Sequence, residues 1–409
     1  MATNPTNRFG AILTADPGRR GSNCFKWDFH PTNRSGDDLL PMWVADMDLP
    51  VADFILEAIR ERTGHPYFGY SFADDRYRQS FIEWQQRRHG WQIAPDSLVF
   101  APGVMPAVRA AVLELTGPGD EVVIQPPVYY PFFGTVGDNG RKLVENPLEY
   151  TADGYRMDLD ALDRSVSDRT RMLILCSPHN PIGRVWTRPE LERLAEIVLK
   201  HNLIVVSDEI HADIRRPGVP FTPFITVSPE VADRTIACHA PSKTFNIPGL
   251  ASAHLVIPGT ELRGKMNHAL ERLGLTLPNI VSLEASRAAY THGDAWVDEL
   301  REFLDSQIIF FEAELTRRFS GTLVAPPIEG TYLAWIDFRM ITAQLGVDDS
   351  AVKHALTEDG GLWLNTGSSF GANGEGFHRM NLACPRPLLE EGLARLERAV
   401  EALRQGSGR

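Results

Sequence analysis

Met172-Leu173-Ile174-Leu175-Cys176-Ser177-Pro178-His179-Asn180-Pro181-Ile182-Gly183 is a run of five apolar residues that breaks into a polar turn. Apolar side chains in unbroken succession, with no polar alternation, mark a strand covered on both faces. The same reading applies to Leu98–Ala101, Glu121–Gln125, Leu203–Ser207, Thr235–Cys238 and Ala253–Ile257. Helical patterns lie between these runs. Met105–Leu115 carries Val108, Ala111, Val112 and Leu115 on one stripe, and Pro189–His201 opens with Thr187 as its N-cap. Strands alternating with helices from about residue 97 to 260 predict an α/β layered sandwich with a largely parallel sheet.

The C-terminal part has another character. Trp296–Phe319 reads as a long helix, Thr322–Pro326, Tyr332–Asp337 and Gly376–Leu382 as strands. Leu389, Leu393, Leu396, Val400 and Leu403 mark a closing amphipathic helix. The expected organisation is residues 1–50 as an N-terminal segment packed on a small α+β domain of 291–409, with 51–290 as the large domain.

Composition narrows the function. The net charge is −12, from 41 basic and 53 acidic residues, which argues against nucleic acid or an anionic membrane as the main partner. No apolar run approaches membrane-spanning length, and the polar first residues hold no apolar signal core. Cys24, Cys176, Cys238 and Cys384 are far apart, with no C-x-x-C pair. A reducing cytoplasm is therefore expected, and no metal site.

In open α/β sheets ligands bind outside the carboxyl ends of the strands. Five such ends here carry polar groups: Pro102-Gly103-Val104-Met105, Pro126-Pro127-Val128-Tyr129-Tyr130, the turn at Asn180, Ser207-Asp208-Glu209-Ile210-His211, and Ala240-Pro241-Ser242-Lys243-Thr244-Phe245-Asn246-Ile247-Pro248-Gly249-Leu250. Each has an ordinary structural use. Gly103 serves a tight turn, Tyr129 packing, Asn180 turn geometry and Asp208 a helix cap; most lysines are surface charges. Their joint occurrence favours function. A glycine before a helix frees N–H groups for an anion. A lysine past a buried strand can be desolvated, which makes its amine a nucleophile.

The motifs S-P-H-N-P-I-G, S-D-E-I-H and S-K-T-F-N-I-P-G-L, in this order and spacing, resemble pyridoxal 5'-phosphate enzymes of the aspartate aminotransferase fold. The likeness extends over nearly the whole chain. Pro41-Met42-Trp43-Val44-Ala45-Asp46-Met47-Asp48, Phe68-Gly69-Tyr70, Glu329-Gly330-Thr331-Tyr332-Leu333-Ala334-Trp335 and Phe377-His378-Arg379-Met380-Asn381-Leu382 are similar to the cystathionine β-lyase or cysteine-S-conjugate lyase branch. The resemblance implies a three-layer sandwich plus the smaller α+β domain. It makes Lys243 the Schiff-base lysine and mobile acid/base, and Asp208 the partner of the pyridinium nitrogen. Asn180 and His211 would contact the ring's 3'-oxygen, and Tyr129 would stack on the ring. Gly103, Val104, Met105 and Ser242 would surround the phosphate. Arg379 would take the substrate α-carboxylate, with Trp43 and Ala45 beside the substrate. Tyr70 would reach the neighbouring subunit's cofactor phosphate, implying a homodimer with shared sites.

Two positions depart from the pattern. Ala251 stands where many relatives carry a phosphate-binding arginine, and Ala240 where many carry serine. The lyase branch often lacks that arginine too. The expected activity is cleavage of L-cystathionine or another cysteine S-conjugate to a thiol, pyruvate and ammonia. Alternatives are an aminotransferase, or a tailoring enzyme of the same branch acting on a bulky thioconjugate. A cofactor-binding regulator without turnover fits less well, because Lys243, Asp208 and Arg379 are all present. Trp43, Tyr67, Phe68 and Trp363 are candidates for the wall of the side-chain pocket.

Overall fold

The computed structural model describes residues 8–12, 16–29 and 39–406. Seven strands form the large sheet: β1 (Leu98–Ala101), β2 (Glu121–Ile124), β3 (Lys142–Glu145), β4 (Thr170–Cys176), β5 (Ile204–Asp208), β6 (Thr235–His239) and β7 (Ala253–Val256). They lie in the order β1-β7-β6-β5-β4-β2-β3. The five strands from β6 to β3 are parallel, and β7 runs antiparallel to both its neighbours.

The unbroken apolar runs are explained by the layers on either side. Val122, Ile124, Met172, Ile174, Val206 and Ile236 pack with the helix Val104–Leu115 on one face. Val123, Leu173, Leu175 and Val205 pack with the helix Arg188–Lys200 on the other. Successive residues of each strand thus enter opposite cores, which makes a three-layer α/β sandwich. Thr187 caps the second helix in a full capping box with Glu190, worth about 1 kcal/mol. The six strands expected from the sequence agree with the structure to within two residues at each end. The edge strand β3 was not among them, because its half-exposed Lys142-Leu143-Val144-Glu145 carries no apolar run.

A second sheet joins β8 (Leu333–Asp337), β9 (Asn365–Thr366) and β10 (Phe377–Asn381), antiparallel in the order β8-β10-β9. The helices Asp294–Phe319 and Arg386–Gly406 cover it, with Phe311, Phe319, Leu393 and Leu396 in its core. Trp27, Leu40 and Met42 enter the same core, and Leu40–Pro41 pairs with Leu362–Trp363. The expected strand Thr322–Pro326 does not form. Only Val324 bridges to Asp337, since Pro326 and Pro327 offer no N–H to extend the ladder.

Candidate active site

The carboxyl ends of the central strands deliver the predicted polar groups. Asp208 is the last residue of β5, and Asn180 lies four residues beyond β4. Lys243 sits in the single helical turn Pro241–Thr244 just past β6. Lys243, Asp208, Arg379, Tyr129 and His211 are near enough to perturb one another's ionisation, and Arg379 Nη1 donates to Asn180 Oδ1 at 2.8 Å. Gly103 precedes the helix Val104–Leu115 with φ +154°, a backbone that favours glycine; an added Cβ would stand 3.3 Å from Pro106 Cδ. Met105 packs partly into the core beneath, and Ser242 is half-buried in the lysine's own turn. Tyr70 is not brought to this group: it is 96% exposed, in a run with Tyr67, Phe68 and Phe72.

The chain surrounds these groups with little compensating charge. Asp208 is buried, and within the chain its Oδ1 accepts from the Ile210 N–H at 3.2 Å. Burial pushes its carboxyl up to about 6, against the pull of that bond and of the Lys243 charge. Lys243 Nζ donates to the Ala45 carbonyl at 2.5 Å. Burial brings its pKa down to about 8; Asp46 and Asp208 oppose the shift, and the Arg379 cation adds to it. Arg379 is buried, with Nη2 donating to Asn365 Oδ1 at 2.5 Å and to the Trp43 carbonyl at 2.9 Å. With Asn180, all its acceptors are neutral and its Nε has none. Desolvation lowers its pKa to about 10. Burial also pushes the Tyr129 hydroxyl up to about 12 and holds His211 well below its ordinary value.

Several supports escaped the sequence reading. Asn246 accepts from the Met47 N–H at 2.9 Å and donates to the carbonyls of Met47 (2.9 Å) and Leu49 (2.8 Å). Asn381 donates to the carbonyls of Val44 (2.7 Å) and Asp46 (2.6 Å). Tyr332 Oη donates to the Ala45 carbonyl at 2.9 Å, the oxygen that also takes Lys243. Together they pin the 43–49 segment between the two sheets. Below it Asp48 binds Lys26 (2.5 Å), Trp27 (2.7 Å) and Arg19 (2.8 Å). Behind the lysine, buried Asp213 accepts from Thr244 Oγ1 at 2.9 Å and contacts His89 Nε2 at 2.9 Å. Asn246, Asn381 and Tyr332 all stand inside the quoted motifs, and that was the available signal.

The aminotransferase class I and II family model matches residues 40–396. The chain belongs to this family. Among its members the chain is similar to cystathionine beta-lyase PatB of Bacillus subtilis (strain 168), at 40% identity, covering 93% of this chain and 98% of that protein. Among solved structures it is similar to cystalysin from Treponema denticola, which contains a pyridoxal 5'-phosphate cofactor. The TM-score is 0.90 at 34% identity, over 94% of this chain and 97% of that one. It is also similar to the PLP-bound C-S lyase from Staphylococcus hominis, with TM-score 0.86 at 30% identity, over 93% and 97%. Cofactor-bound solved structures thus share the fold of more than nine-tenths of this chain.

Proposed function

We propose that the chain is a pyridoxal-phosphate-dependent carbon–sulfur β-lyase, which takes a cysteine S-conjugate and water to a thiol, pyruvate and ammonia. The observation that carries this is a set of charged groups, Asp208, Lys243 and Arg379, brought together with no direct salt bridge to any of them among the described residues. A protonated ring nitrogen suits Asp208, an aldehyde suits the Lys243 amine, and an α-carboxylate suits Arg379. The residues therefore fit the cofactor. The N–H groups of Gly103, Val104 and Met105, with Ser242, would offer its phosphate a helix N-terminus, while Ala251 and Ala240 offer no side-chain donor. When bound, pyridoxal phosphate supplies an electron sink for the carbanion at Cα.

The chain's own residues do the rest. Arg379 fixes the carboxylate in a forked pair, which orients Cα–H toward the lysine. Lys243, with its pKa brought down to about 8, has a neutral fraction at neutral pH and takes the Cα proton at Nζ. Tyr129 stays protonated because its pKa is near 12, so its Oη holds a proton for the departing sulfur. Asn180 and His211 would hold the ring's 3'-oxygen, and Trp43 and Ala45 would border the substrate.

The exposed aromatic run Tyr67, Phe68, Tyr70 and Phe72, at 73, 62, 96 and 76%, supports a homodimer with shared sites, in which Tyr70 meets the partner's cofactor phosphate. The packing of Trp27, Leu40 and Met42 into the second core supports a division into 51–290, 291–409 and an N-terminal segment. No helix of the described residues is long and apolar enough to cross a membrane. Four unpaired cysteines support a cytoplasmic setting.

The test is a panel of L-cystathionine and S-alkyl and S-aryl cysteines, given to holoenzyme without a keto acid. Pyruvate is expected from at least one. No pyruvate from any, with turnover appearing only when a keto acid is added, would make the protein an aminotransferase.

A further inference from the structure

A cavity of about 590 Å³ lies beside the substrate anchor and is not part of the cofactor rim. Its lining includes Trp43, Trp363 and Asn365. The two indoles are stacked, with ring centroids 4.2 Å apart and planes at 20°. Lys353 and Glu358 also line it, and their opposite charges leave the wall without net charge from this pair. The volume falls within the range of small-molecule sites, and the mixture of indole faces with a few polar groups is what such sites use.

The cavity and the carboxylate anchor share walls. Arg379 Nη2 donates to the Trp43 carbonyl and to Asn365 Oδ1, and both residues line the cavity. Arg379 does not itself line the cavity, so a substrate whose carboxylate rests on Arg379 is separated from it by Trp43 and Asn365. Arg379 also donates to Asn180 at 2.8 Å and lies near Tyr129 on the cofactor rim. A large group on the sulfur extends away from that rim, along the wall that Trp43 and Asn365 form.

We propose that this cavity receives the sulfur-bound substituent of the substrate, and that it favours a flat, uncharged, aromatic group lying against the Trp43–Trp363 pair. This rests on the lyase reading above and adds the substrate class to it. Trp363 is then a specificity-determining residue. Small S-alkyl groups do not reach it, and S-aryl or S-arylalkyl groups do.

The experiment compares S-benzyl-L-cysteine with S-methyl-L-cysteine in holoenzyme, in the wild type, Trp363→Ala and Ser369→Trp. Ser369 is exposed on the cavity wall, so the added indole obstructs the space without entering the core. Both variants are expected to lower kcat/KM for the benzyl conjugate at least about tenfold, with the methyl conjugate changed less than about twofold. Calorimetric binding of 2-amino-5-phenylpentanoate, in which carbon replaces the sulfur, is expected to weaken by a similar factor. Equal effects on both conjugates, or no effect in Ser369→Trp, overturn the assignment. Binding of the analogue alongside S-methyl-cysteine, without competition, also overturns it. If neither conjugate yields pyruvate in the wild type but the analogue still binds and the variants weaken it, the lyase reading fails and the cavity assignment stands.

Discussion

Asp208 and Asp213 are five residues apart, both buried, and both at the exit of the same strand. Asp213 is fully engaged: Thr244 and His89 meet it at 2.9 Å each, and Trp84 Nε1 at 3.2 Å. Burial works to raise its carboxyl, but the bonds from His89 and Thr244 and the charge of Arg88 bring it down to about 2. Asp208 accepts one backbone bond and is held up at about 6. The lysines repeat the contrast. Lys26 is locked to Asp48 at 2.5 Å, whereas Lys243 has only a carbonyl. Folding satisfies Asp213 and Lys26. Asp208 and Lys243 are left with an interaction to make, and these incomplete groups, with Arg379, gather on one rim. A buried charge costs stability unless it is paired. Here the missing partners have the charges of a cofactor and an amino acid.

Lys243→Ala is the strongest way to break this contrast. It is expected to lower pyruvate formation at least about 10³-fold and to abolish the visible absorbance of the bound cofactor. Normal turnover in that variant would place the reacting amine elsewhere. The two aspartates separate next, by urea unfolding of cofactor-free protein. Asp213→Asn is expected to cost about 3 kcal/mol at pH 7, because it strands buried donors. Asp213 has a folded value below its unfolded one, so its contribution is present above about pH 4 and is lost as the pH falls toward 2. Asp208 has the opposite sign. Its folded value near 6 exceeds the unfolded 3.8, so its ionisation costs stability above pH 6 and the cost fades toward pH 4. Asp208→Asn is therefore expected to stabilise the cofactor-free chain by about 2 kcal/mol at pH 8 while removing activity. Destabilisation by Asp208→Asn at pH 8 would erase the distinction between the two sites. Arg379→Lys sharpens it more mildly. An ammonium cannot form the forked pair, so KM for the amino acid is expected to rise about tenfold, roughly 1.4 kcal/mol, with a smaller loss in kcat.

The sequence displays the groups that await a ligand better than the groups that hold them in place. The strands β4 to β6 were legible because burial on both faces writes an unbroken apolar run. Asp208, Asn180 and Lys243 were legible because each lies within five residues after such a run. Asp208 is marked by its place at the strand end, but nothing local says that Asp213, five residues on in Ser207-Asp208-Glu209-Ile210-His211-Ala212-Asp213, is fully satisfied. The difference is made by His89 and Trp84, which lie on a helix more than a hundred residues earlier. Asn246 and Asn381 were hidden for the same reason, since the backbone they hold is 197 and more residues distant. The strand β3 and the failed strand at Thr322–Pro326 are local misreadings. One is an edge with weak apolar signal, and the other an apolar stretch stopped by prolines. Of the cavity beside Trp363 only Trp43 and Trp363 were legible, because Leu39 and Trp43 meet the rest of its wall from more than three hundred residues away.

Asn246 offers the finest test of how far the supports matter. It sits at φ +57°, a left-handed backbone that asparagine and glycine accept more readily than alanine. Asn246→Gly keeps that backbone and removes the three bonds to Met47 and Leu49, so it isolates their effect. Those bonds are part-buried, and water can replace the lost partners. The cost in unfolding is therefore expected to be about 1 kcal/mol, not three times that. The loss in kcat/KM follows from where the segment leads. Met47 is two residues from Ala45, whose carbonyl accepts both Lys243 and Tyr332. A looser segment lets that oxygen drift, and Lys243 loses its single neutral acceptor. The expected result is a severalfold lower kcat/KM with an unchanged cofactor affinity. Asn246→Ala would add the strain of the backbone and cost more on unfolding. If Asn246→Gly instead released the cofactor, the segment would be part of the cofactor grip, and the line between groups that hold and groups that react would have to be redrawn there.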